Sequence, residues 1–151
     1  MSVHSNDVLN AIRAVALSTV DRFSLWRGGR WSLLFSRPED FTSHGFEADR
    51  WAACLRDELE RLDLRVIAVD GSYQPSWISQ VDGRFVASDD VEHFMPAELN
   101  VSTHDHFVTI FDGAMSARRT IVYAAGTAVP SPIELAQTAA GLRSRSAAVF
   151  S

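Results

Sequence analysis

Apolar positions recur at helical spacing near the start of the chain. Val8, Leu9, Ile12, Val15, Ala16, Val20 and Phe23 form one face behind a capping Ser5 or Asn6, which predicts a first helix. Gly28-Gly29 then reads as a two-residue hairpin turn, with a strand from Arg30 to Phe35 that ends before Pro38. A second amphipathic stretch, about Glu47 to Leu62, carries Trp51, Leu55, Leu59 and Leu62 on one stripe and mostly charged residues on the other. Leu64 to Val69, apolar but for Arg65, reads as a buried strand that stops at Asp70-Gly71. Trp77 to Val81 and Arg84 to Ala87 read as a hairpin around Asp82-Gly83. Ser88 is placed to cap a short helical turn from Asp89 to Met95, ended by Pro96. Phe107 to Phe111 and Arg119 to Ala124 read as two strands joined by Asp112-Gly113. Ser131-Pro132-Ile133-Glu134 is a capping box with proline at the first helical position, and so opens a last helix.

Tight turns join antiparallel strands, whereas parallel strands need long crossovers. The pattern therefore predicts an α+β fold: a single antiparallel curved sheet of about five to seven strands, with three helices packed mainly on one face. No stretch reads as a linker and no repeat is present, so residues 1–151 are expected to form one domain.

Composition narrows the chemistry. The chain is 46% hydrophobic and 22% charged, ordinary values for a folded domain. Cys54 is the only cysteine, which excludes an intrachain disulfide and a four-cysteine zinc site. All the basic residues are arginine. Without lysine there is no Schiff-base chemistry, no phosphate-loop lysine and no serine–lysine pair. No run approaches the roughly 18 apolar residues of a membrane helix, and the first residues lack a secretory pattern; a cytoplasmic protein is expected.

Charge is unevenly spread. Residues 66–117 carry eight acids against the single Arg84, while residues 118–151 carry Glu134 against four arginines. One reading is that acids gather in turns and aid solubility. The other is an acidic surface for a basic partner: Asp82, Asp89, Asp90 and Glu92 would meet it, with Trp77, Phe85 and Phe94 as apolar anchors. On that reading the protein is a non-catalytic binding module, concretely an immunity protein or antitoxin that neutralises a basic bacterial toxin such as a nuclease. No catalytic residue and no cofactor is called for, and the net charge of −5 disfavours nucleic acid as a partner.

The alternative is a small metal-dependent or ligand-binding enzyme. His104 and His106 are two apart, so an extended backbone would place both on one side, with His93, Glu92 or Asp112 to complete a metal site. The simpler reading is a polar strand entry. Cys54, beside the apolar stripe of its helix, is expected to pack into the core. Trp31 is expected in the core with Leu33 and Phe35.

Overall fold

The computed structural model describes residues 28–41, 48–71, 73–95, 105–124 and 129–150. The expected first helix and Trp26 lie outside the described residues. Among the described residues five strands form one mixed sheet in the order β3-β2-β1-β4-β5: β1 Trp31–Phe35, β2 Leu64–Val69, β3 Arg84–Val86, β4 Phe107–Phe111 and β5 Ala117–Val122. Between them run α1 Ala48–Leu62, α2 Ser76–Gln80, α3 Ser88–Phe94 and, after β5, α4 Pro132–Phe150. A single-turn 3-10 helix, Pro38–Phe41, follows β1.

The expected all-antiparallel sheet is not what forms. β1 pairs with β2 in parallel, and β2 with β3 in parallel; only β1–β4 and β4–β5 are antiparallel. The physical reason lies in the connections. The 15-residue α1 between β1 and β2 is long enough to carry the chain back across the sheet, and a β-α-β unit sets its two strands parallel. The expected hairpin at Asp82-Gly83 fails for a related reason. Trp77, Ile78 and Val81 sit at helical spacing, and Ser76–Gln80 winds into α2 behind the extended Pro75. Asp82, at φ 57, then turns the chain into β3 alongside β2.

Nor are the helices confined to one face. β1 and β4 are buried at every position, so the sheet is covered on both sides. On one side Leu33, Phe35, Val66, Val108 and Ile110 pack with Ala52, Leu55 and Leu59 of α1, Trp77 and Ile78 of α2, and Leu135, Ala136 and Ala139 of α4. On the other, Leu34, Ile67, Val69, Phe107 and Phe111 pack with Val91 of α3. The last helix begins as expected: the backbone N–H of Glu134 reaches Ser131 Oγ at 3.5 Å. Among the described residues, no helix is long and apolar enough to cross a membrane.

Candidate active site

In open sheets with parallel strands, ligand sites form beyond the carboxyl ends of strands, where the chain departs to opposite sides. Here that position is the end of β1. Its parallel neighbour β2 lies on one side and the antiparallel β4 on the other. Because β4 enters and β5 leaves at this same edge, three separate parts of the chain meet there: the 3-10 turn after β1, His106 before β4 and Tyr123 after β5.

The side chains converge on one carboxylate. Asp40 Oδ2 lies 2.5 Å from His106 Nδ1 and accepts a 2.8 Å hydrogen bond from the Tyr123 hydroxyl. The His106 and Tyr123 rings meet edge to face with centroids 5.7 Å apart. Asp40 and His106 side chains are each 22% exposed, sheltered but open to solvent. A carboxylate can only accept, so Nδ1 carries a proton, and whenever the ring is neutral Nε2 is the acceptor. Burial pushes the Tyr123 hydroxyl well above the ordinary tyrosine range, and its hydrogen bond to Asp40 and that group's charge push it further. It therefore stays protonated at neutral pH and keeps donating to Asp40.

The scaffold around Asp40 is stiff. The Trp77 indole N–H donates to the Pro38 carbonyl at 2.9 Å, a buried bond that ties the 3-10 turn to α2. Phe41, at the end of the turn, packs edge to face on Phe35 and Tyr123, with centroids 4.9 and 5.6 Å apart. Backbone bonds Tyr123 N–H to His106 C=O (3.1 Å) and Ser36 N–H to Phe107 C=O (3.1 Å) complete the sheet edge. Arg37 and Glu39 form a half-buried ion pair at 3.0 Å beside the cluster.

The residues singled out from sequence are distributed differently. Trp77 is buried in the aromatic cluster, 4% exposed, and is no surface anchor. Phe85 is half-buried against the same core. Asp82 faces Arg56 at 3.4 Å. Asp89 and Asp90 occupy the first turn of α3, where a carboxylate favours the helix dipole, so the fold itself gives them a purpose. The side chains of Glu92, His93 and Phe94, and all of His104, lie outside the described residues. His106 turns its Nδ1 to Asp40, and among the described residues no cluster of three His, Cys, Asp or Glu could hold a metal. Cys54 is exposed on α1, not packed in the core. Its helix buries Ala52, Leu55 and Leu59, which leaves position 54 on the outer side.

Asp40 and Tyr123 carried no signal in the sequence. They stand 83 residues apart, and no periodicity or motif joins such positions. His106 was visible only as half of a His-x-His pair.

No protein family profile matches the chain, and no curated protein matches it in sequence. Among solved structures, its fold is similar to Mycobacterium tuberculosis AhpC, at 19% identity over 76% of this chain and 74% of that one, with a TM-score of 0.49. It is similar also to the peroxiredoxin 6 of Arenicola marina, at 16% identity, 80% and 64% coverage and a TM-score of 0.48. A yeast mitochondrial 1-Cys peroxiredoxin gives 14% identity, 80% and 67% coverage and a TM-score of 0.49. These neighbours are named as AhpC and peroxiredoxins, not as toxin inhibitors. On that finding the expected immunity protein or antitoxin, and with it the expected lack of catalysis, is withdrawn. At this distance the likeness does not carry an activity over to the chain.

Proposed function

We propose that the chain is a small acid–base catalyst whose working group is the His106 imidazole. One observation carries the reading: a single oxygen, Asp40 Oδ2, is shared by His106 Nδ1 and the Tyr123 hydroxyl at the carboxyl end of β1. A carboxylate that holds Nδ1–H orients the ring and stabilises the imidazolium that forms when Nε2 takes a proton. Tyr123, protonated at neutral pH, fixes the second lone pair of that oxygen and stops the carboxylate from rotating away. His106 Nε2 then withdraws a proton from water or from a hydroxyl or thiol of a small polar substrate, and returns it to the leaving group. A cytoplasmic setting goes with this reading.

One of the similar structures, the yeast mitochondrial 1-Cys peroxiredoxin, is named for cysteine chemistry. In this chain such chemistry would fall on Cys54 alone. Turnover of esters, phosphoesters, thioesters and hydrogen peroxide by the purified chain separates the two. On the substrate turned over, His106→Gln and Asp40→Asn should each lower kcat/KM by about 10²-fold or more, the range for loss of a positioned acid–base group. Cys54→Ser should leave it unchanged. Peroxide turnover lost with Cys54→Ser and retained in His106→Gln would overturn the acid–base reading.

A further inference from the structure

The geometry points to Ser36 as the residue that positions His106, an inference that rests on the acid–base reading of that histidine. Ser36 follows β1 directly and is 3% exposed. Its hydroxyl reaches across to β4 and engages both residues that flank His106. Ser36 Oγ donates towards the Asp105 carbonyl at 2.7 Å, with the Phe107 carbonyl at 3.0 Å, and accepts the Phe107 backbone N–H at 2.8 Å. The Ser36 backbone N–H adds its own bond to the Phe107 carbonyl. Position 106 is thus held on its two sides by one side chain, while Tyr123 N–H holds its carbonyl from the opposite strand.

This arrangement does more than lengthen a strand ladder. A strand pair needs only backbone groups; the hydroxyl adds a clamp at the one point where the chain enters β4 and the imidazole must turn to Asp40. Phe107 is fully buried, so the next residue along is fixed and any play in the histidine must come from the Asp105 side. That is the side on which Ser36 Oγ places its shortest bond. Without it, the Asp105 carbonyl loses the hydroxyl's bond, the entry to β4 is held less tightly, and Nδ1 no longer meets Asp40 in a single geometry. Ser36 itself touches no reacting atom; it acts through His106.

The test reads the imidazole directly. The exchange rate of the His106 Nδ1 proton, and the ring's tautomer pattern, are measured by nitrogen-15 NMR in the intact chain, in Ser36→Ala and in the nearly isosteric Ser36→Cys. Val86→Ala, in β3 at the far side of the sheet, serves as a control for general loss of stability. Ser36→Ala and Ser36→Cys should exchange the Nδ1 proton about tenfold faster and show mixed tautomers, the effect of losing one well-placed hydrogen bond. Val86→Ala should keep the original rate and pattern. If Ser36→Ala does not fold, Ser36→Cys decides alone. Unchanged exchange in a folded Ser36 variant, or equal acceleration in Val86→Ala, would overturn the positioning role. Asp40→Ala, which removes both carboxylate oxygens, tests the underlying reading separately. It should abolish the protected Nδ1 proton whatever Ser36 does, and a proton still protected there would count against the acid–base site, not against the clamp.

Discussion

At the scale of single residues, the site is a set of ordinary groups made unusual by where the chain puts them. Tyr123 shows this best. Its hydroxyl is raised in the folded protein by burial and by Asp40. The unfolded chain releases the same proton at the ordinary tyrosine value of about 10. The folded pKa is the higher one, so this contribution to stability is complete below about pH 10 and is lost as the pH rises above it. Urea unfolding of the native chain should therefore show a fall in stability above pH 10 that is smaller in Tyr123→Phe. At neutral pH the same change should cost about 1 kcal/mol for the lost bond to Asp40. Equal alkaline slopes in the two proteins would show that Tyr123 is not held in its protonated form. None of this is visible in the sequence, because it depends on three residues brought together from distant positions. His106 stood out in the sequence only as half of a pair with His104, whereas its Nδ1 meets a carboxylate from the turn after β1.

At the scale of elements, much was legible. The apolar stripe of α1, the buried run of β2, the β4–β5 pair and the capping box of α4 all gave elements close to those expected. The arrangement of the strands was not legible in the turn residues, and the turns misled. Asp82-Gly83 has hairpin composition, but Gly83 serves as a close-packing point. An added Cβ there would lie 2.8 Å from both the Ile78 carbonyl oxygen and its Cγ2. The Gly83 N–H donates to that same carbonyl at 2.7 Å, closing α2 against β3. Gly83→Ala should therefore destabilise the protein by about 1–3 kcal/mol through overpacking, read as a shift in the denaturation midpoint. A midpoint within experimental scatter of the original would show that α2 can shift freely. The clue that did point to the true arrangement was available: Trp31–Phe35 and Leu64–Val69 are nearly continuous apolar runs separated by one long amphipathic helix, the pattern of a β-α-β unit with both faces covered.

For the molecule as a whole, several acids of the middle segment find a place within the fold. Asp82 meets Arg56, Asp112 meets Arg118 at 3.6 Å and caps the β4–β5 turn through Ala114 and Ser116 N–H, and Asp89 and Asp90 lie at the start of α3. Net charge counted along a sequence cannot register such pairings, since the arginines come from other elements. What the whole fold adds is an edge where a parallel and an antiparallel neighbour diverge around β1, and there the Asp40, His106 and Tyr123 side chains meet. The central claim is that Asp40 and His106 work as one unit. The most direct measurement is a double-mutant cycle on kcat/KM with Asp40→Asn, His106→Gln and the double variant, using the substrate turned over fastest. Groups that act together lose their effect once, so the double variant should be no slower than His106→Gln alone. Losses that multiply, each variant adding its full effect to the other, would contradict the account.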